Sequence, residues 1–394
     1  MVQLALELLL GLLAATLLIP ALLLTLQVLL ALAPGRARPV ATGLRPRVAV
    51  LVPAHNEAAG ITATLQAILD QLSASDRVLV VADNCEDTTA LAAAAAGAEV
   101  IERSDPIRRG KGYALDFGLL HLHAAPPEVL LIIDADCKLH PGGIDLLSRS
   151  AMETGCPIQS LDLMQAPPNA SIKTRIAEFA WLVKNWVRPL GSQRLGVPCQ
   201  LMGTGMAFPW ALISNAQLAN SELVEDMKLG IDLALAGHPP VFCVDAVVTS
   251  QFPESAPAVD SQRTRWEHGH LGMILQHAPR LIGRALLRGD FRLLGLALDL
   301  AVPPLALLVV MISSVFAVAF ASYWLGLSVF PLLLASAAIG LLTLTVLLAW
   351  MGWGRRVLPF ADLLSVPLYV LGKAPIYLKF WTKRQKDWVR TGRD

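Results

Sequence analysis

Apolar residues fill the start of the chain almost without a break. From about residue 4 to residue 33 nearly every position is leucine, alanine, valine or isoleucine, and no charge follows Glu7. A helix needs ~20 apolar residues to cross a bilayer, so this stretch is long enough to span one. It lacks the basic start and the short apolar core of a cleaved signal peptide. We therefore predict a retained transmembrane anchor over residues 1–33.

A short basic segment follows the anchor. It contains Arg36, Arg38, Arg45 and Arg47, with prolines and glycines between them. Positive residues flank membrane spans on the cytosolic side, and proline and glycine are typical of loops. The pattern predicts a basic linker over residues 34–46 and a cytosolic location for the segment beyond it.

From Arg47 onward, short apolar runs alternate with segments of helical spacing. The runs predict strands over 48–52, 77–82, 99–101 and 129–133, and the segments between them predict helices over 61–72, 88–96 and 113–123. This alternation is typical of an α/β domain with a doubly wound, mostly parallel sheet. After Pro141 it loosens, with strands predicted over 158–164 and 241–249, a strand or loop over 199–208, and helices over 172–190, 223–235 and 262–276. We predict one cytosolic domain over residues 47–292.

Long apolar runs return at about residue 293. They predict two transmembrane helices, over 293–324 and 327–353. Basic residues lie outside both ends, which places those ends in the cytosol. They are Arg280, Arg284, Arg288, Arg292, Arg355 and Arg356.

The last apolar stretch, 357–380, is interrupted by Asp362, Lys373 and three prolines. Because basic residues lie on both sides of it, we favour an interfacial or re-entrant segment over a fourth span. Residues 381–394 predict a basic cytosolic tail.

The composition strengthens the membrane prediction. Hydrophobic residues make up 55% of the 394 residues and charged residues only 16%, which is too apolar for an ordinary soluble enzyme. The formal net charge of +1 provides no basic surplus, so we predict no nucleic-acid partner. The five cysteines form no C-x-x-C pair, which argues against a zinc site and against a disulfide framework, and favours a reducing cytosolic domain.

Two carboxylates follow the predicted strand at 129–133. Asp134 and Asp136 are separated only by Ala135. Ligands of open α/β sheets bind outside the carboxyl ends of the strands, and two such carboxylates repel each other unless a cation lies beside them. Hard oxygen ligands favour Mg²⁺ or Mn²⁺, whose coordination is often completed by phosphate oxygens. The alternative is an Asp pair that caps a turn after the strand.

Short polar motifs follow the predicted elements in a defined order. They are Pro53 with Glu57, Asp83, Lys111, Asp134-Ala-Asp136, Glu225-Asp226, and Gln262-Arg-Thr-Arg265-Trp266. Each motif is weak alone. Their order over roughly residues 48–276, between membrane spans, resembles the membrane-bound branch of the family 2 glycosyltransferases. That branch includes the cellulose, hyaluronan and poly-N-acetylglucosamine synthases and the ceramide glucosyltransferases.

The resemblance implies a GT-A-like fold and assigns most of these residues to a UDP-sugar donor. The implied donor-binding residues are Pro53, Glu57, Asp83, Lys111, Asp134, Gln262 and Arg265, and the implied ligands of Mg²⁺ or Mn²⁺ are Asp136 and Asp134. A carboxylate such as Asp83 can accept hydrogen bonds from a uracil or a ribose. Lys111 and Arg265 can pair with the diphosphate. The alternatives are an ordinary turn at Asp83, a solvated basic loop at Lys111, and an interfacial Arg-Trp pair.

On the acceptor side, the resemblance makes Asp226 the general base that deprotonates the acceptor hydroxyl. Adjacent Glu225 could raise the pKa of Asp226, which suits a base near neutral pH. Trp266 can stack on a sugar, and residues 203–205 (Gly203-Thr204-Gly205) could let the acceptor approach the backbone closely. The alternative for Glu225 and Asp226 is favourable negative charge at a helix N-terminus.

The resemblance therefore implies an inverting, metal-dependent hexosyltransferase in a bacterial-type inner membrane, surrounded by membrane lipids. The Gln-x-x-Arg-Trp motif favours a polysaccharide acceptor. The small number of predicted spans favours the alternative, non-processive glycosylation of a membrane lipid, because a secretion channel needs more helices or an export partner protein. Two further hypotheses are a nucleotidyltransferase, which would not need Asp226 or Trp266, and a non-catalytic membrane scaffold.

Overall fold

The structure is a computed structural model that describes residues 2–34, 43–219, 223–253 and 255–382. The described residues divide into two compact units. The first, here called the sheet unit, contains 43–167 and 198–269. The second, the helical unit, contains 2–34, 168–197 and 270–382. The predicted tail, 381–394, lies almost entirely outside the described residues, as does most of the predicted linker.

The sheet unit contains eight strands in the order β3-β2-β1-β4-β7-β6-β8-β5. They are β1 Val48–Ala54, β2 Arg77–Asp83, β3 Glu99–Arg103, β4 Val129–Ile132, β5 Lys138–Leu139, β6 Ile158–Gln165, β7 Met206–Pro209 and β8 Val241–Gln251. The pairings β1–β2, β1–β4, β2–β3 and β6–β8 are parallel, whereas β4–β7, β6–β7 and β5–β8 are antiparallel. The predicted mostly parallel α/β sheet is confirmed. The antiparallel pairs all involve strands after residue 137, which is where the sequence alternation loosens.

Sixteen α-helices are described along the chain. They are α1 Val2–Leu32, α2 Ile61–Leu69, α3 Thr89–Ala95, α4 Lys111–Leu122, α5 Gly143–Thr154, α6 Ile172–Leu182, α7 Arg188–Arg194, α8 Trp210–Ile213, α9 Glu225–Leu235, α10 Ala256–Arg288, α11 Phe291–Ala301, α12 Leu305–Trp324, α13 Phe330–Gly352, α14 Phe360–Leu363, α15 Val366–Gly372 and α16 Ala374–Thr382. The predicted helix over 172–190 is interrupted by a π-helical turn, Val183–Val187, between α6 and α7.

Both faces of the sheet are covered, which explains why its central strands are continuous apolar runs. Val48, Val50 and Val52 point to one face, where α2 and α5 pack against them. Ala49 and Leu51 point to the other face, where α4 packs against them. Side chains alternate between the faces of a strand, so a strand buried on both sides must be apolar at every position.

The parallel register fixes where the first strands end. Ala54 of β1 pairs with Ala82 of β2, and Asp83 at the end of β2 pairs with Arg103 at the end of β3. Because these strands run in the same direction, their carboxyl ends meet at one edge of the sheet. The polar residues that follow them are therefore brought together without any long-range side-chain contact.

The helical unit contains three described helices that are long and apolar enough to cross a membrane, over residues 3–32, 305–324 and 330–352. The segment 293–324, which we predicted as one membrane helix, contains α11 and α12 instead. Pro303 and Pro304 lie between them, and proline supplies no N–H for a continuous helical ladder. The segment 357–380 forms the three short helices α14, α15 and α16, and its position relative to a membrane stays a prediction.

Candidate functional site

A cavity of about 900 Å³ opens at the carboxyl ends of β1, β2 and β4. Its lining includes every residue that we predicted for the donor and the metal. These are Pro53, Glu57, Asp83, Lys111, Asp134, Asp136, Gln262 and Arg265. Eight residues scattered over more than 200 positions thus share one cavity, while their individual roles stay predictions.

Asp83 forms a polar cluster at the end of β2. Its Oδ1 accepts hydrogen bonds from a guanidinium N–H of Arg103 at 2.6 Å and from the amide of Asn84 at 3.0 Å. The Arg103 guanidinium also lies over the Tyr113 ring, 5.6 Å from its centroid. On the other side, the Asp83 carbonyl contacts Nδ1 of His55 at 2.7 Å. The buried Asp83 carboxylate is therefore held in one orientation on the cavity wall.

Arg103 and His55 both line the cavity, and neither was among the residues that we predicted. The strand register could have revealed Arg103, because it is the cross-strand partner of Asp83. His55 follows β1 directly and therefore reaches the same sheet edge as Asp83. The useful signal for both was their position after a parallel strand, and no recognisable motif marks them.

Asp134 and Asp136 offer carboxylate oxygens that a hard divalent cation could bind. Together with Cys137, they place donor atoms within 4.8 Å of one another. Burial raises the pKa of the Cys137 thiol well above its ordinary value, and the two carboxylates raise it further. The thiol therefore stays protonated, and it contacts Asp136 Oδ1 at 3.4 Å. Two carboxylates without a thiolate suit Mg²⁺ or Mn²⁺ rather than zinc.

Lys111 lies at the N-terminus of α4 and connects the two sides of the site. Its ammonium group forms an ion pair with Asp134 and donates a hydrogen bond to the Gly203 carbonyl at 2.7 Å. Burial disfavours the charged form, but the nearby carboxylates of Asp134, Glu225 and Asp226 outweigh it and raise the pKa of Lys111. Lys111 is therefore a fixed cation, already paired with a carboxylate rather than free in a solvated loop.

Asp226 approaches the same point from α9. A Cβ placed on Gly203 would lie 3.3 Å from Asp226 Oδ2 and 3.6 Å from Lys111 Nζ. The φ of +91° at Gly203 is also a conformation that other residues rarely adopt. Glycine at this position therefore leaves room for a carboxylate and an ammonium group to approach the backbone.

Glu225 precedes Asp226 in the first turn of α9. Burial raises the pKa of Glu225 to about 7, Asp226 adds to this shift, and Lys111 opposes it. Two adjacent carboxylates and one lysine thus share a single electrostatic environment. The negative charge also lies at a helix N-terminus, so the capping alternative and the catalytic prediction are compatible.

Thr204 and Gly205 make a hydrogen bond and a packing contact beside the Asp134 loop. Thr204 is buried, and its Oγ1 accepts a hydrogen bond from the Asp134 backbone N–H at 3.1 Å. Gly205 has a φ of +64°, and an added Cβ would lie 1.7 Å from Ser160 Oγ. These contacts give the two residues a packing role beside the metal site, whereas the acceptor contact that we predicted for them stays a prediction.

The motif in α10 contributes to the cavity unequally. Gln262 and Arg265 lie on its wall, whereas Trp266 is partly buried and is not among its lining residues. Since positions 265 and 266 are about 100° apart on a helix, the two side chains point in different directions. A role for Trp266 at the acceptor would have to be exercised outside the cavity.

Much of the chain is similar in sequence to known proteins. The model of the family described as "Glycosyltransferase like family 2" matches residues 46–269. A probable glycosyltransferase of Bacillus subtilis, YdaM, is 26% identical over 247 residues, which cover 59% of this chain and 57% of that relative. The matched part thus spans little more than half of the relative's length.

Two solved structures were also similar. The mannosyltransferase PcManGT from Pyrobaculum calidifontis, in complex with GDP-Man and Mn²⁺, is 20% identical with a TM-score of 0.52, covering 95% of this chain and 99% of that one. Glucosyl-3-phosphoglycerate synthase from Mycobacterium tuberculosis is 20% identical with a TM-score of 0.40, covering 59% of this chain and 82% of that one. The first of these likenesses shows a common fold.

Proposed function

This chain belongs to glycosyltransferase-like family 2, and from that premise we propose that it transfers a hexose from a UDP-sugar to a polysaccharide hydroxyl at the cytosolic face of a membrane. Its sheet unit has the GT-A-like fold that the sequence led us to expect. The observation that carries the proposal is the position of Lys111, which contacts both Asp134 and the Gly203 carbonyl, beside the carboxylate of Asp226.

The Asp83 cluster supports uridine as the nucleoside. Arg103 and Asn84 both donate hydrogen bonds to Asp83 Oδ1, and neither donates one to Oδ2. Uracil presents a single ring N–H on its recognition edge, which one carboxylate oxygen can accept. Guanine presents a ring N–H and an amino group side by side, which are best matched by both oxygens of a carboxylate. The cluster therefore favours uracil, in contrast to the GDP-Man found in the mannosyltransferase structure.

Asp136 and Asp134 are the residues that would hold a divalent cation. When bound, Mg²⁺ or Mn²⁺ supplies positive charge that offsets the charge of the leaving diphosphate. Lys111 and Arg265 lie on the same cavity wall and can pair with phosphate oxygens. The Mn²⁺ in the similar mannosyltransferase structure supports this choice of metal.

We assign the proton transfer to Asp226. Its carboxylate removes the proton from the acceptor hydroxyl as the hydroxyl oxygen forms a bond to the anomeric carbon. The bond between that carbon and the diphosphate oxygen breaks, and UDP leaves with the electron pair. Because attack and departure occur on opposite faces of the sugar, the anomeric configuration is inverted. Lys111 keeps Asp226 close to the donor carboxylates while reducing their mutual repulsion.

Transfer to a membrane lipid is the second candidate function. The described residues contain three helices that could cross a membrane, which is few for a chain that must also export a polymer. A lipid acceptor needs no such channel. The two candidates share the donor chemistry and differ only in the acceptor.

A product analysis tests the proposal and separates the two candidates. Membranes that contain the protein would be incubated with Mn²⁺ and a panel of radiolabelled UDP-sugars, with GDP-mannose as the nucleotide control. We expect incorporation from one UDP-sugar into material that is retained with polymer. A product extracted into organic solvent would establish the lipid acceptor, and incorporation from GDP-mannose alone would overturn the uridine assignment.

A further inference from the structure

The helical unit exposes a rigid corner between α10 and α11. Gly289, with a φ of +63°, ends α10, and the Asp290 N–H donates to the Ala285 carbonyl at 3.0 Å. The Asp290 carboxylate then caps α11 by accepting the Leu293 N–H at 2.9 Å. A turn closed by bonds to both helices holds the residues on either side of it in fixed positions.

Large apolar side chains project from this corner. Leu287 is 89% exposed, Phe291 is 82% exposed and Leu286 is 65% exposed. The inner sides of the same helices are packed, with Leu281 and Leu293 buried. Their outer apolar residues are therefore not needed for the core of the unit, and three adjacent exposed side chains of this size point to a partner that removes them from water.

Four arginines lie in the same stretch of the chain as these apolar residues. Arg280, Arg284 and Arg288 recur at every fourth position of α10, which places them along one side of the helix, and Arg292 follows in α11. All four are exposed, and none takes part in an ion pair with another residue in the described part of the chain. The nearby Asp290 carboxylate serves as a helix cap. This set of four arginines and three apolar residues is called the arginine corner below.

We propose that the arginine corner binds the anionic phospholipid headgroups of a membrane surface. Arginine pairs with phosphate oxygens through its planar guanidinium group, and exposed leucine and phenylalanine gain free energy when they enter the acyl region beneath the headgroups. A short stretch that exposes both arginines and large apolar side chains provides contacts for both layers. The three helices that could cross a membrane belong to the same unit, so the corner is already part of a membrane-associated body.

Local insertion can be measured on the full chain in proteoliposomes. A Leu287→Cys variant, in a chain whose partly exposed Cys85 and Cys156 are replaced by serine, would be labelled with an environment-sensitive fluorophore and reconstituted in phosphatidylcholine alone or in an equimolar mixture with phosphatidylglycerol. We expect brominated acyl chains to quench the label, and to do so more strongly in the anionic membrane. Leu91→Cys is the matched control site, because Leu91 is 71% exposed but belongs to α3 of the sheet unit, and we expect no lipid quenching there.

The arginines are tested in the same labelled protein. Each arginine near an anionic surface contributes about fivefold to binding. An Arg284→Gln, Arg288→Gln, Arg292→Gln variant should therefore lose the extra quenching that phosphatidylglycerol produces, whereas the matching Arg→Lys variant should keep most of it. If the Gln variant fails to fold, the comparison of the two lipid compositions in the parent protein decides the question.

Two results would overturn the proposal. Quenching of the residue-287 label by aqueous iodide, and not by brominated lipid, would mean that the corner faces water or a soluble partner. Equal lipid quenching in both membranes, unaffected by the Gln substitutions, would mean apolar insertion without headgroup recognition. Neither readout involves sugar transfer, so the proposal can fail or succeed independently of the proposed activity.

Discussion

The proposed donor side and the proposed acceptor side of the candidate site are held by different kinds of backbone. On the donor side, Asp83 ends β2 and Asp134 follows β4, so the hydrogen-bonded register of parallel strands determines their positions. On the proposed acceptor side, Asp226 lies in the first turn of α9, and Gly203 lies in a loop before β7. Lys111 joins them to the proposed donor side through its contacts with the Gly203 carbonyl and with Asp134, and Thr204 does so through its hydrogen bond to the Asp134 backbone. The proposed donor side is thus built into the sheet, whereas the proposed acceptor side is joined to it by side-chain contacts across loops.

The largest effect should come from the acceptor side. An Asp226→Asn substitution removes the proposed base but keeps its size, and general-base catalysis typically contributes 10²–10⁴-fold. We expect turnover to fall by about three orders of magnitude, with the Kd for UDP within about twofold of the parent value. Single-turnover transfer and equilibrium UDP binding measure the two quantities separately.

The matched control for this experiment is Asp232→Asn. Asp232 lies on the same helix, and its exposed carboxylate forms an ion pair with Lys228 at 2.6 Å. This substitution should leave turnover unchanged. Full activity of the Asp226→Asn variant would remove the base from the mechanism and would instead support the nucleotidyltransferase hypothesis.

The next effect tests the metal on the donor side. An Asp136→Asn substitution removes a charged oxygen ligand, and metal-based charge stabilisation is worth several kcal/mol. We expect Mn²⁺ affinity and turnover each to fall about a hundredfold. Titration with Mn²⁺ followed by electron paramagnetic resonance measures the affinity without any need for sugar transfer.

Cys137→Ala is the control for the metal, because the buried thiol lies within the same group of potential ligands but remains protonated. It should keep Mn²⁺ affinity close to that of the parent protein. A large loss in this variant, together with normal binding by Asp136→Asn, would show that the ligands had been assigned incorrectly.

A smaller effect is expected at the edge of the donor side. An Arg103→Gln substitution removes the charged partner of Asp83, and hydrogen bonds to charged groups are worth about 1.5–3 kcal/mol. We expect the KM for the UDP-sugar to rise at least tenfold while kcat changes by less than about twofold, since Arg103 acts through Asp83. Initial rates over a range of donor concentrations separate the two constants.

Arg77→Gln provides the control, because it breaks a similar cross-strand ion pair at the opposite end of the same two strands. Arg77 of β2 pairs with Glu99 of β3 at 2.8 Å, away from the cavity. It should lower stability without changing the KM. Equal changes in KM for the two variants would indicate a general effect on the sheet.

The same contrast explains which parts could be predicted from the sequence. The positions of Asp83 and Asp134 could be predicted from the sequence because strand periodicity locates the ends of parallel strands, and those ends must meet. Arg103 was missed because the predicted third strand ended at residue 101, whereas β3 continues to Arg103, the cross-strand partner of Asp83. Local patterns are sufficient when backbone hydrogen bonding determines the geometry.

Contacts formed across loops could not be predicted from strand periodicity. The hydrogen bond between Thr204 and the Asp134 backbone joins residues 70 positions apart, and no periodic pattern encodes it. The packing of Gly203 against Asp226 likewise depends on a connection without regular structure. The division of the predicted 293–324 helix into two helices is a different case. Pro303 and Pro304 mark the break in the sequence, so this division could have been predicted.

The last prediction concerns Glu225, where the two sides meet. Its pKa in the folded protein is about 7 against an ordinary value of 4.5, chiefly because of burial and the adjacent Asp226. Between these pH values the folded protein holds a proton that the unfolded chain releases. The free energy of unfolding therefore falls as the pH rises through this window, by up to about 3 kcal/mol.

In the absence of metal, the Glu225→Gln variant should lack this decline. The Glu153→Gln variant, which changes an exposed carboxylate on α5, should retain it. Thermal midpoints measured across the window provide the comparison. An identical slope in the parent protein and in Glu225→Gln would show that the decline in stability does not come from the titration of Glu225.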